Sequence, residues 1–217
     1  MKKFIVIVLV LFCCKIRGQN NQGNTEKDIN SSLKNNQKTF VLTTNWVLPN
    51  PTNSSNIGKA TTGKSGIEGG VQLFLYNNFF IGGFLGVSGL DVSQPEYTGN
   101  YSRSSVTFGY FQVGYEFPIQ EKLRLGLSFV PFGESRYKNI LSNSSNVYQV
   151  DNARFVMLGT HLSYKVSGPF YIFAGYAFRS DKTEIKTAPE FQDQFKSIQY
   201  HSVSFGVKFY IGNKSFF

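Results

Sequence analysis

Six charged residues stand far apart in otherwise apolar surroundings: Glu68, Glu116, Arg124, Lys165, Arg179 and Lys208. Each occupies the polar parity of a stretch in which apolar and polar types alternate, and Gln72 shares that parity with Glu68. A charge removed from water persists when it is paired and hydrogen-bonded. The expected chemistry is therefore mutual neutralisation, an ion-pair plug, with a gated or proton-carrying path as the alternative. Glu116 and Arg124 lie symmetrically about a turn at 118–121, so they should face each other across one hairpin. Lys165 and Lys208 fall near the same end.

Catalytic patterns are sparse. His161 and Ser163 are two apart, which on a strand puts them on one face. A base beside a hydroxyl suits acyl transfer when a third group orients the base. No matching acid is evident, and both side chains are expected to point inward, with His161 hydrogen-bonded in the interior. His201 and Ser202 are adjacent, so they point to opposite faces. The two cysteines, Cys13 and Cys14, lie in the N-terminal apolar run, and two histidines alone make a structural zinc site improbable. Gly82, Gly83, Gly86 and Gly89 precede no strand-to-helix junction, so they form no phosphate loop. No catalytic, cofactor or metal residue is assigned, and the chain is expected not to be an enzyme.

The elements that must position these residues follow from period-2 alternation. Eight segments show it, at about 38–48, 65–77, 79–92, 103–117, 122–135, 153–166, 169–180 and 197–211. The first carries Phe40, Leu42, Thr44, Trp46 and Leu48 on one face; the last carries Val203, Phe205, Val207, Phe209 and Ile211. The connections alternate in length. Tight ones fall at Asn77-Asn78, at 118–121 and at Ser167-Gly168, and long polar ones at 49–64, 93–102, 136–152 and 181–196. Short periplasmic turns and long extracellular loops are the habit of outer-membrane barrels.

Composition agrees. Aromatics make up 16% of the 217 residues and charged residues 16%, with hydrophobic content of 41% and mean hydropathy near zero. That is too little for a bundle of membrane helices. It suits strands with bulky apolar residues facing lipid and small or hydrogen-bonding residues filling a narrow interior. In lipid every backbone polar group must be paired, so strands span only as a closed ring. The expected fold is all-β: an eight-stranded antiparallel transmembrane β-barrel, an up-and-down meander. Tyr76, Phe79, Phe80, Tyr115, Phe117, Tyr164, Phe170, Phe209 and Tyr210 cluster at the short-turn end, where an interfacial girdle would sit. Phe74, Tyr110, Phe132, Phe155 and Phe173 are expected inside. A helical reading of 71–90, with Gly82 and Gly86 as a GxxxG pair, would strand Asn77-Asn78 in mid-membrane, whereas a hairpin uses them as its turn.

The N-terminus has the layout of a secretory signal. Lys2 and Lys3 precede an apolar run from Phe4 to Cys14, and Gly18 offers a cleavage site. Residues 1–18 would be the signal, 19–37 a disordered polar lead-in and 38–217 the barrel. Acylation at Cys13 or Cys14, as in a lipoprotein, is the rival reading. The signal carries four positive charges and no acid, so its removal lowers the formal charge from +9 to +5. No basic run points to nucleic acid.

Residues 204–211, SFGVKFYI, resemble the C-terminal signal read by the barrel-assembly machinery, with Ser204, Gly206, Phe209 and Ile211 at its key positions. GNKSFF follows, where the usual form ends on the strand itself. As a whole, 38–217 resembles the small outer-membrane β-barrel families, OmpA/OmpX-like and PorT-like. The resemblance implies an outer-membrane location in a Gram-negative envelope. Its implied partners are outer-membrane lipid, lipopolysaccharide and the assembly machinery, with no nucleic acid. His161-x-Ser163 faintly resembles the His/Ser pair of outer-membrane lipid A deacylases. The expected function is structural or surface-binding through the extracellular loops. A small channel or transporter for hydrophobic molecules and a lipid A-modifying enzyme are the alternatives.

Overall fold

The computed structural model describes residues 38–143 and 147–212. The expected signal and lead-in lie outside these. Eight strands occur among the described residues: β1 (Phe40–Pro51), β2 (Thr61–Tyr76), β3 (Phe79–Val92), β4 (Tyr101–Gln120), β5 (Leu123–Leu141), β6 (Tyr148–Ser167), β7 (Phe170–Thr183) and β8 (Ser197–Ile211). Each pairs antiparallel with the next, and β8 pairs with β1, which closes the barrel. The closing seam is continuous from Phe40↔Ile211 to Pro51↔Tyr200. Closure leaves no strand edge and therefore no unpaired ladder.

Turn chemistry sets the register at the short-turn end. Asn77 and Asn78 both have positive φ, 42° and 67°, as a two-residue hairpin turn that follows the strand twist requires. At the other end two one-turn helices lie over the mouth, α1 (Asn56–Ala60) and α2 (Gln192–Phe195). Ser55 caps α1, its Oγ accepting from the Gly58 amide at 3.2 Å.

The outer and inner rows separate as the alternation requires. Leu85 is 74% exposed and Ile67 63%, and Trp46, Val87, Phe111, Leu158 and Phe205 are exposed beside them. A contiguous apolar surface of this extent needs a non-aqueous neighbour. It forms a belt around the barrel, the lipid-facing band of a transmembrane barrel.

The strands differ from expectation in length. β4, β5 and β6 reach 20, 19 and 20 residues, beyond the 9–11 a tilted spanning strand needs. Their outer ends carry Arg103, Arg136, Lys138 and Arg154, all exposed. Apolar alternation stops there, but hydrogen-bonded pairing continues (Ser105↔Lys138, Glu134↔Arg154). Most of the expected loop 136–152 is therefore strand, and 181–183 belong to β7 rather than to the loop after it.

Three aromatics are corrected. Phe132, expected inside, is 62% exposed and lies against Phe111 on the outer face. A bulge between Val130 and Gly133 shifts the register there. Pro131 cannot donate to a ladder, and the extra residue reverses the parity, so Gly133, Ser135 and Tyr137 face inward. Phe80 and Tyr210, expected in the girdle, are buried inside with Val41, Phe74 and Tyr171. A larger interior cluster, including Phe84, Phe108, Tyr110 and Phe155, fills the half nearer the long loops.

Candidate functional site

The interior charges assemble into two layers. The layer near the short turns is centred on Glu116 of β4, which is wholly buried. Lys208 of β8 donates from Nζ to its Oε1 at 2.7 Å. The Tyr210 hydroxyl contacts both carboxylate oxygens at 2.9 Å. Arg124 Nη1 lies 3.7 Å from Oε2, and its guanidinium sits over the Tyr210 ring at 5.4 Å. His161 Nε2 is 3.2 Å from Oε1 and 2.6 Å from Lys208 Nζ. That nitrogen can donate to Glu116 or accept from Lys208, but not both at once. Desolvating several charges together is sustained here because the carboxylate is approached from β5, β6 and β8 simultaneously.

The expected Glu116–Arg124 contact exists, but diagonally. Glu116 is opposite Gly126, and Arg124 is opposite Pro118, because the ladder shifts between Pro118 and Gln120. Lys208 joins this layer, whereas Lys165 stays outside it, at the rim. His161 and Ser163 point inward as expected, and Ser163 is fully buried.

Gly126 provides the seat for the imidazole. A Cβ there would lie 2.0 Å from His161 Cε1 and 2.2 Å from Nε2. Gly126→Ala should push the ring off Glu116 and lower stability by about 1–3 kcal/mol, the usual result of overpacking. Urea titration of the refolded barrel checks this. Gly69→Ala, where the added carbon meets nothing nearer than the Thr43 carbonyl oxygen at 3.6 Å, serves as the control.

The second layer, nearer the long loops, pairs Arg179 with Asp181, two residues on along β7 and therefore on the same face. Arg179 Nε and Nη2 donate to Asp181 Oδ1 and Oδ2 at 2.6 and 2.5 Å, a bidentate fork. The Tyr137 hydroxyl donates to Oδ2 at 2.6 Å, Ser135 Oγ lies 3.0 Å from it, and Tyr200 meets the Tyr137 hydroxyl at 2.9 Å. The guanidinium packs over the Phe155 ring at 3.8 Å. Sequence reasoning placed Asp181 in a loop and missed it, together with Ser135, Tyr137 and Tyr200. The available signal was parity: Arg179 and Asp181 continue one period-2 row.

Between the layers lies a chamber of about 100 Å³, lined by Glu68, Gln72, Thr43, Asn45 and Gln112 among others. Thr43 Oγ1, Asn45 Oδ1 and Gln72 Oε1 are buried there without a partner among the described residues. The space is polar enough and roomy enough for roughly three waters. Glu68 lies opposite Asn45 in the β1–β2 ladder and faces Tyr110. Two of the expected polar residues thus line the chamber, three belong to the ion-pair layer near the short turns (Glu116, Arg124, Lys208), and Arg179 belongs to the second. Of the C-terminal pattern, Ser204 and Gly206 face inward at the closing seam and Phe209 faces outward.

No protein-family model matches the chain, and no curated protein matches its sequence. Solved structures of small outer-membrane barrels do match its fold. Neisserial surface protein A superposes with a TM-score of 0.53 at 12% identity, over 78% of this chain and 96% of that one. Ail of Yersinia pestis gives 0.52 at 10% identity, over 81% and 100%. A major outer membrane protein from Thermus thermophilus gives 0.53 at 9%, over 79% and 99%. The fold is that of the small eight-stranded outer-membrane β-barrels. At these identities the likeness concerns the fold alone.

Proposed function

We propose that this chain is an integral outer-membrane protein with a sealed interior, not an enzyme, and that it works structurally or by binding through its extracellular end. The observation that carries this reading is the pair of ion-pair layers, each crossing the interior with paired, buried charges. A route for hydrophobic molecules down the axis would have to pass both. Lipid A chemistry would require a nucleophile directed at lipid, whereas His161 and Ser163 face inward. His201 is exposed on the outer face against Tyr176, with Ser202 on the opposite parity.

The apolar belt supports lipid as the first partner. Above it, the exposed Arg103, Arg136, Lys138, Arg154 and Lys182 stand at headgroup level, which suits the phosphates of lipopolysaccharide. Ser204, Gly206, Phe209 and Ile211 at the closing seam fit a role as the signal for the assembly machinery. The signal peptide that would deliver the chain is the one read at residues 1–18.

Planar-bilayer recording of the refolded protein tests the central claim. Silent bilayers are expected after verified insertion. Discrete current steps from the unmutated chain would remove the sealed-interior reading and leave the channel alternative.

A further inference from the structure

A second cavity, of about 240 Å³, opens at the long-loop end above the Arg179–Asp181 layer. Its apolar wall is Ile57 of α1, Leu90 of β3, Phe195 of α2 and Ile198 of β8. Leu90 and Ile198 are essentially fully buried. The polar side is concentrated on β6 and its neighbours. Asp151 accepts from Asn139 Nδ2 at 2.6 Å and from Gln149 Nε2 at 3.0 Å. The Tyr101 hydroxyl donates to Gln149 Oε1 at 2.5 Å. These contacts fix the carboxylate and use one lone pair on each of its oxygens, leaving further acceptor capacity. Thr98 Oγ1 also lines the cavity, buried and without a partner among the described residues.

We infer that this cavity binds a small amphipathic cation: an aromatic or branched apolar body with an ammonium head that reaches Asp151. An apolar site of about 150 Å³ accommodates benzene. The larger cavity here takes such a ring with a two-carbon arm. Convergent polar groups at one side of an apolar pocket fix a ligand's orientation. The half-buried Asp151 is in no ion pair among the described residues. Lys186 also lines the cavity, so an anionic head is the direct competitor. The inference deepens the proposed surface-binding role and rests on it.

Three probes share one body and differ in head: phenethylamine, phenethyl alcohol and phenylacetate. Each is titrated into the full chain in lipid nanodiscs, with binding read from protein amide shifts rather than from partition into lipid. Phenethylamine should saturate the protein, the alcohol should bind about tenfold more weakly, and phenylacetate should be weakest. Asp151→Asn should reduce the amine to the level of the alcohol. Ile57→Trp, which fills the cavity from α1, should abolish saturation by all three while heat-modifiable migration on a gel confirms the fold. Absence of saturable shifts, equal binding to Ile57→Trp, or preference for phenylacetate overturns the inference. Current steps in planar bilayers from the same purified protein, with amine binding intact in nanodiscs, would overturn the sealed-interior reading and leave the ligand site standing.

Discussion

Glu116→Ala should lower the unfolding free energy by about 3–5 kcal/mol, the usual result of leaving a buried cation without its partner. Lys208 and Arg124 both approach this carboxylate, so its removal leaves two like charges facing each other in a narrow interior. Urea titration in lipid vesicles reads the loss, and Trp46, the only tryptophan, reports from the lipid-facing row of β1. Glu116→Leu combined with Lys208→Met should recover part of it, because an apolar pair of similar volume removes one unpaired charge. Arg124 limits the recovery. A loss below about 1 kcal/mol for Glu116→Ala, the range of an exposed ion pair, would mean that the carboxylate does not hold the layer together.

The second large effect concerns permeability. The two layers act in series, so opening one should leave the barrel silent. Arg179→Ala with Asp181→Ala removes the layer nearer the loops without leaving a lone charge, and current steps should remain absent. Adding Glu116→Ala, Arg124→Ala and Lys208→Ala should produce measurable conductance, because the narrow interior then lacks both charged crossings. Asp181→Ala alone should resemble Glu116→Ala in stability, since the Arg179 guanidinium stays buried without its fork. Conductance from the Arg179/Asp181 double variant alone would show that the Glu116 layer is not a seal.

Much of this architecture was legible from period-2 alternation because a lipid-facing strand must keep one apolar face along its whole membrane span. Asn77-Asn78 and Ser167-Gly168 were legible as turns because few residues adopt the backbone that tight hairpins require, and Asn78 and Gly168 do show positive φ. The errors have separate causes, and the first is that alternation reports the membrane, not the ladder. Where β4, β5, β6 and the end of β7 leave lipid, both faces become polar and the pattern fades while pairing persists. Asp181 was missed for that reason. Phe132 was misplaced because one extra residue at Pro131 reverses parity, and alternation counted from Leu123 carries no mark of the bulge. Phe80 and Tyr210 sit at the right height but on the inner side, since closeness to a turn specifies depth without specifying face.

The uneven height of the wall has a mechanical consequence. On the side of β4, β5 and β6 the sheet rises well past the lipid, whereas β3 and β7 are 14 residues each. The mouth is therefore cut on a slant, with a stiff parapet on one flank. A parapet of paired backbone is already ordered, so a body docking against it forfeits little chain freedom compared with one that must freeze a floppy loop. Molecules approaching the mouth would meet the tall flank first and the lower lip afterwards, which gives the barrel a front and a back.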